Sequence, residues 1–371
     1  MLHLIAEPRF FETQEVKDEE SNVLVTTCGT IVAQGIMKSL RLANKDPKSK
    51  IRYRIFTTDM SAEAAGLYRS DAGFLVPPIS SPSYIESIIK ICNSEKIRMV
   101  YVGADEELQV MADSKEEIER RTGAIVVTNP SNVISTCTDK WQTFQFLSKN
   151  NLPCPVSALP EDQESFASQY GFPAIVKPRE GHGSLHIYVA NDREEMRQSI
   201  SAIQKYGWRP FIQQLIPTEK EEFTVGVTVN PRKNSIMSSI AMRRILHSGQ
   251  TYKAFIDDYP EVRKTAEEVA LKLGAKGPVN LQGRVHEGKF KIFEINPRFS
   301  ASTPIRAVAG VNEADIIFRN LVLHEDVNVD SYQQLACMRY WNEVYVPMHS
   351  FSKTVEQRKI ADSDSFIPDY F

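Results

Sequence analysis

The sequence predicts two units of different class: an α/β unit with a parallel sheet, then an α+β unit built from antiparallel strands. Three observations carry this. Short apolar runs alternate with helically spaced segments through the first third of the chain. Asn129-Pro130-Ser131 interrupts that alternation. Beyond it, several runs alternate polar and apolar residues, as half-buried antiparallel strands do.

Val23-Leu24-Val25 ends at Thr26-Thr27-Cys28-Gly29-Thr30, and Ile31, Ile36, Leu40 and Leu42 follow at helical spacing: strand, glycine turn, helix. Ile51 to Phe56 is a second strand running to Asp59. Met99 to Val102 is a third, ending at Gly103-Ala104-Asp105-Glu106-Glu107, and Ile125 to Val127 a fourth. Strands joined through helices form a parallel sheet covered on both faces. Ligands gather at the carboxyl ends of such strands, where Gly29, Asp59 and Asp105 lie.

In the second unit, Lys140 to Lys149 is helical and Asn151-Leu152-Pro153 stops it. Pro173 to Pro178 reads as a buried strand entering the loop Gly181-His182-Gly183-Ser184, and Ile187 to Val189 as the returning strand. Glu194 to Lys205 is a helix, and Phe211 to Ile216 a strand capped by Pro217. Phe223 to Val229, Ser238 to Met242 and Lys289 to Ile295 alternate, with a helix from Val262 to Leu273 among them. The segments expected are an N-terminal extension (1–22), the leading unit (23–128), the second unit (129–326) and a C-terminal segment (327–371) whose last residues are poorly ordered.

Composition excludes several classes. With 42% hydrophobic residues, 371 residues can bury two or three cores. A net charge of -3 gives no reason for a nucleic-acid or anionic-membrane partner. Charge runs such as Lys115 to Arg121 mix signs and read as solvated helix faces. No apolar run reaches the roughly 18 residues of a membrane helix. Five scattered cysteines without a CxxC pair argue against a disulfide framework or zinc site and fit a reducing cytoplasm. The N-terminus, with Glu7 and Arg9, lacks a signal-peptide layout.

Four segments carry chemistry. On the strand Phe290 to Asn296, Glu294 and Asn296 share a face. A hairpin turning at Glu287-Gly288-Lys289 brings Gln282 beside them. One carboxylate and two amide oxygens suit Mg²⁺, which keeps part of its shell for waters and phosphates. Arg298 follows as a charge for a transferring phosphoryl group. Lys177, ending an apolar strand at Gly181, Gly183 and Ser184, reads as a phosphate-neutralising lysine beside loop amides. Lys140 sits at a helix start with Thr138 or Asp139 as cap. Gln213-Gln214-Leu215 with Glu222 forms a strand and linker whose backbone suits an adenine edge and whose acid suits ribose hydroxyls. Taken singly, each also reads as ordinary structure: a wet strand face, a hairpin loop, a capped helix, a solvated acid. His182 and His186 are four apart, but Gly181 and Gly183 argue against a helical metal site.

In this order the segments resemble the ATP-grasp superfamily, most specifically at Phe293-Glu294-Ile295-Asn296-Pro297-Arg298-Phe299-Ser300 and at Gly277-Pro278-Val279-Asn280-Leu281-Gln282. The closest likeness is to one synthetase unit of the carbamoyl-phosphate synthase large subunit, in its short single-unit form, over residues 22 to 325. Gly66 to Asp71 and Gly103 to Leu108 extend it into the leading unit. The resemblance implies a pre-ATP-grasp Rossmann-like domain before an ATP-grasp domain of two α+β subdomains, the lid over about 140–212. It implies ATP and Mg²⁺. Lys140, Lys177, Gly181, Gly183 and Ser184 would meet phosphates, Gln213, Gln214 and Leu215 adenine, and Glu222 ribose. Gln282, Glu294 and Asn296 would hold metal, and Arg298 would stabilise an acyl phosphate.

The implied activity is ATP-dependent ligation of a small carboxylate to an amine or thiol. The alternatives are other acceptor chemistry, kinase- or carboxylase-like, and a non-catalytic nucleotide-binding protein. No nucleic acid or membrane partner is expected; a homodimer is left open. Gln213 stands where an acid is commoner, and Ala301 where the carbamoyl-phosphate enzyme has a second arginine. With one unit and no glutaminase segment, carbamoyl-phosphate synthesis by this chain alone is not expected. Arg243 and Arg244 point to opposite faces of a strand, so one can enter the cleft and hold a substrate carboxylate in bidentate fashion. Thr251-Tyr252-Lys253 falls beside them, and Arg306 is a second candidate anchor for an anion.

Overall fold

Val23, Leu24 and Val25 have no solvent exposure because helices cover both faces of the sheet they centre. Val23 and Val25 enter one core and Leu24 another, as the two-residue period of a strand requires. The computed structural model describes residues 19–181, 185–217, 222–361 and 364–369. The leading sheet contains β1 (Glu19–Val25), β2 (Ile51–Asp59), β3 (Ala72–Leu75), β4 (Met99–Tyr101) and β5 (Ile125–Val127). They are parallel, in the order β3-β2-β1-β4-β5. β1 starts at Glu19 rather than Val23, because its polar first residues pair without an apolar signal.

A second sheet of β6 (Ser157–Ala158), β7 (Ala174–Pro178), β8 (Tyr188–Ala190) and β9 (Pro210–Gln214) is antiparallel, ordered β6-β9-β7-β8. Phe166, Met196, Ile200 and Ile203, from helices Gln163–Tyr170 and Arg193–Lys205, share its core. The third sheet contains β10 (Glu222–Val229), β11 (Ile236–His247), β12 (Gln250–Ile256), β13 (Gly277–His286), β14 (Lys289–Asn296) and β15 (Leu335–Met338). It is antiparallel, in the order β14-β13-β10-β11-β12-β15. Helix Pro260–Leu273 covers one face through Val262, Ala266, Val269 and Leu273.

Two sequence expectations change. The C-terminal segment, for which no strand was expected, adds β15 to the third sheet and β16 (Lys359–Ile360) antiparallel to β3 of the first. And β10, read as half-buried, is buried along its whole length. Its polar face, Thr224, Gly226 and Thr228, is roofed by the fully buried Arg306 and Glu313. A Cβ at Gly226 would come within 2.4 Å of Arg306 Cζ, so glycine makes room for the pair.

The two units also share a core. Helix Ile31–Ala43 contributes Ile36 and Leu40 to the cluster that holds Ile240 and Met242 of β11, Phe299, and Ile305, Ile317 and Phe318 of helices Thr303–Val308 and Glu313–Val322. The carboxyl edge of the first sheet is thereby set against the third. No helix among the described residues is long and apolar enough to cross a membrane.

Arg306 is therefore not an anion anchor. Its Nε donates to Glu313 Oε2 at 3.0 Å, Nη1 to Asn280 Oδ1 at 3.1 Å and Nη2 to Ser300 Oγ at 2.7 Å. Removing one partner of a buried pair leaves the other charge stranded, so Arg306→Ala should cost about 3–5 kcal/mol of stability. Urea unfolding checks this; a loss under about 1 kcal/mol would show the pair to be dispensable.

Candidate active site

The loops at the carboxyl ends of the first sheet are tied to one another before they meet any ligand. Gly29 N donates to Asp59 Oδ2 at 2.8 Å, Thr30 Oγ1 to Gly103 O at 2.6 Å, and Thr26 Oγ1 to the buried Glu107 Oε2 at 2.6 Å. Thr30 also caps helix Ile31–Ala43 by accepting from Ala33 N. These loops form one wall of a cavity of about 660 Å³, whose other walls come from the second and third sheets.

The β13–β14 hairpin supplies the floor. Gln282 pairs with Glu294 and Asn280 with Asn296 across it. The register slips by one residue at Phe293, a β-bulge, and both Phe293 and Glu294 line the cavity although neighbours in a regular strand face apart. Gly283 lies beside the bulge, and a Cβ there would meet Lys291 O at 2.5 Å. A glycine inside a strand pattern is the signal that could have located the bulge.

Glu294 has no hydrogen-bond or ion-pair partner among the described residues and is partly exposed to the cavity. Asn296 and Gln282 flank it with amide groups, a hard-oxygen set of the kind Mg²⁺ takes, in which Gln282 Oε1 reaches a cation only by giving up its 2.6 Å contact with Arg244 Nη2. Asn296 Oδ1 accepts from Arg298 Nη2 at 3.1 Å, and its Nδ2 is buried without a partner among the described residues. That single contact leaves the amide free to turn its oxygen to a cation, so the set fits.

Arg298 does not pair with Glu294. It forms a two-point contact with Asp105 of the first sheet, Nε to Oδ1 at 2.8 Å and Nη2 to Oδ2 at 2.7 Å, and Nη1 donates to Phe299 O. The planar fork fixes the guanidinium's direction.

Lys177 is almost fully buried, with Nζ 5.3 Å from the Phe211 ring centre and 5.5 Å from that of Phe293. Burial, followed by the positive charge of Lys140, pulls its ammonium down to about 7. Lys140 Nζ donates to Gly181 O at 2.6 Å, and the cap of its helix is Asp139, which accepts from Trp141 N at 2.9 Å and clasps Arg179.

Arg244 does enter the cavity wall, but not as a free guanidinium. Its Nε and Nη2 donate to Glu222 Oε1 at 3.2 and 2.8 Å, and Nη2 also to Gln282 Oε1 at 2.6 Å. Arg284 holds Glu222 Oε2 at 3.1 and 2.9 Å. Two residues expected to meet different ligands thus form one buried cluster, joined by Arg284, which the sequence reading missed. Arg243 faces away, its guanidinium 4.2 Å above the Phe255 ring, and does not line the cavity. Gln213 and Gln214 line it, with Gln213 Nε2 held by Ser157 Oγ at 3.0 Å; the Leu215 side chain does not. Thr251 lines it, whereas Tyr252 turns outward beside His247. Gly181 lines it; His182, Gly183 and Ser184 lie outside the described residues.

Residues 137–302 match the ATP-grasp domain, and residues 23–127 the PylC-like N-terminal domain. The chain carries an ATP-grasp domain. Among curated relatives it is 24% identical over 288 residues to the carbamoyl phosphate synthase large chain of Helicobacter pylori (strain ATCC 700392 / 26695). That match covers 72% of this chain but only 26% of the relative. Among solved structures, N5-carboxyaminoimidazole ribonucleotide synthetase from Thermus thermophilus superposes with a TM-score of 0.64 at 16% identity, covering 89% of this chain and 86% of that one. L-amino acid ligase from Bacillus licheniformis gives a TM-score of 0.59 at 15% identity, covering 81% and 73%. At these identities the superpositions show a shared fold alone.

Lys177 yields a pH-dependent prediction. Its ammonium titrates at 10.5 when unperturbed and at about 7 here. Between those values the unfolded chain binds a proton that the native protein lacks, so stability rises with pH across that window and is lowest below it. Lys177→Met should therefore unfold at higher urea than the parent below about pH 7, by on the order of a few kcal/mol, and the gap should shrink steadily as pH rises from about 7 toward 10.5. A gap that does not change with pH would mean that Lys177 carries its charge without penalty.

Proposed function

We propose that this ATP-grasp protein is an ATP-dependent ligase, which activates a small carboxylate as an acyl phosphate and passes it to an amine or thiol, with release of ADP and phosphate. One observation carries the reading. A hard-oxygen set, Gln282, Glu294 and Asn296, lies in the same cavity as two lysines and an arginine held in a fixed direction. The relatives' names support it, since they include a synthetase, a synthase and an amino acid ligase.

In this reading the leading domain spans residues 23–128 and the ATP-grasp domain 129–326, with its lid over about 140–212. Lys140 and Lys177 hold phosphate oxygens, with Gly181, Gly183 and Ser184 beside them. The ammonium of Lys177 regains its full charge against a phosphate, which offsets its burial. The backbone around Gln213, Gln214 and Leu215 faces adenine. Glu222 meets ribose only by exchanging one of its arginine contacts, so Arg244 and Arg284 set its position. Gln282, Glu294 and Asn296 hold Mg²⁺. Bound Mg-ATP supplies the phosphoryl group that turns a carboxylate into a good acyl donor. Arg298, aimed by Asp105, neutralises charge where that group is transferred. The cavity walls keep water from the reactive anhydride. Five free cysteines fit a cytoplasmic setting.

The test is a panel of carboxylates and amino acids screened for stimulated phosphate release, with mass spectrometry of the products. Glu294→Ala and Asn296→Ala should each lower stimulated release by about 100-fold or more while melting cooperatively near the parent temperature. Near-normal turnover in such variants would remove the metal assignment. Nucleotide binding without stimulated release by any carboxylate would replace the ligase reading with a non-catalytic one.

A further inference from the structure

The segment Gly66 to Asp71, part of the sequence resemblance, takes no part in the cavity described above. Its 3₁₀ turn, Ala65–Arg69, brings Arg69 to a place where three parts of the chain meet. Helix Ile31–Ala43 brings Lys38. Gly35 of that helix packs on the segment after Arg298, where a Cβ would lie 3.6 Å from Ala301 Cα. Ala301 O accepts from Nη2 of Arg339, in the C-terminal segment, whose Nη1 donates to Thr251 O at 3.1 Å. On the other side, Arg41, one turn beyond Lys38, donates from Nη2 to Arg69 O at 3.5 Å. Lys38 and Arg69 remain exposed, and Arg339 is half-buried. No acid offsets these charges: among the described residues none of the three forms an ion pair. Asp71, the acid closest to Arg69 in the chain, is held by Arg41 at 3.0 Å. The carbonyl oxygens that meet Arg339 satisfy its N–H groups without neutralising its charge. Partial burial, followed by the charges of Arg69 and Arg339, holds the Lys38 ammonium below its ordinary range.

We propose that Lys38, Arg69 and Arg339 form a second binding site, outside the nucleotide cavity, for a small oxyanion carrying two or more negative charges. The inference does not depend on the ligase reading. Like charges repel, so holding three cations together without a counter-charge is unfavourable, and an anion between them removes that repulsion. A single carboxylate does not balance three cations; a diphosphate or a tricarboxylate does. Arg69 offers a planar fork to two oxygens, and Lys38 a point charge that turns to a third. None of the three cations lines the nucleotide cavity. Arg339 nevertheless grips the backbone of two residues that do, Thr251 and Ala301, so the site lies against the cavity rim. The competing reading is three solvated side chains, which would hold no ligand in a defined place.

The experiment is calorimetric titration of the full chain, free of nucleotide and Mg²⁺, with inorganic pyrophosphate and separately with tricarballylate, a tricarboxylate. Either probe can also enter the nucleotide cavity, so two variants separate the sites: Lys38→Gln/Arg69→Gln in the patch and Lys140→Met/Lys177→Met in the cavity. Expected is that the cavity variant keeps a site for at least one probe, with affinity within about twofold of the parent, and that the patch variant weakens that site by about tenfold or more. Its affinity should also fall as salt is raised, because the contacts are exposed. Preference for pyrophosphate assigns the site to phosphate-bearing ligands, and preference for tricarballylate to polycarboxylates; either supports the proposal. Unchanged binding in the patch variant overturns it. So does loss of all binding in the cavity variant, and so does failure of the parent to bind either probe. Because no nucleotide is present, failure here leaves the ligase reading untouched. Both patch residues are exposed, so the variant should melt near the parent temperature. Should it not, Lys38→Gln alone decides the point: affinity about threefold lower supports the site, and unchanged affinity overturns it.

Discussion

Arg306 reaches from a short helix into the polar face of the third sheet, and the rest of the site is arranged around it. Its guanidinium joins Glu313, Asn280 and Ser300. Those contacts connect the two helices behind the sheet, the floor strand β13 and the loop that follows Arg298. A charge pair this deep is stable only if nearly every donor and acceptor is met. The sequence around it is constrained accordingly: glycine at 226 leaves room, Thr224 fills the remaining side of Asn280, and β10 loses its solvent face.

A second level of order comes from pairing charges before any ligand is present. Arg298 is aimed by Asp105, Glu222 is chelated by Arg244 and Arg284, and Arg179 is tied to Asp139. Each pair spans different elements, so the cavity walls are braced against one another. Among the described residues, those outside this pattern include Lys177, whose burial disfavours its charge, the carboxylate of Glu294, and the buried amide nitrogens of Asn280 and Asn296. A cavity walled by paired charges and lined by Lys140, Lys177 and an unpaired Glu294 is organised for a polar, anionic ligand with a cation.

The contact between units matters as much as either unit. Helix Ile31–Ala43, which begins at the ligand edge of the first sheet, packs its other face into the core of the third. Gly35 allows this approach, since a Cβ there would lie 3.2 Å from Ser300 O. The Asp105–Arg298 contact is a consequence of that docking, because neither residue could reach the other across two independently moving domains.

From the residues alone came the class of each unit, the order of its main strands and helices, and the set Lys140, Lys177, Gln282, Glu294, Asn296 and Arg298. These were legible because period and local chemistry are written in neighbouring positions: Glu294 and Asn296 share a face by strand geometry, and Gly288 marks the hairpin that pairs them with Gln282 and Asn280. Three matters were decided only by the tertiary structure. Arg306 was an apparent anion anchor until the fold buried it against Glu313. Arg243 and Arg244 were indistinguishable until packing on Phe255 turned one away and Glu222 claimed the other. Asn280 looked like any polar strand residue until Thr224 and Arg306 took its oxygen and left its nitrogen unmet. Partners in each case lie between 7 and 56 residues away. The identity of a polar residue is local, but which of its atoms remains free depends on everything that folds against it.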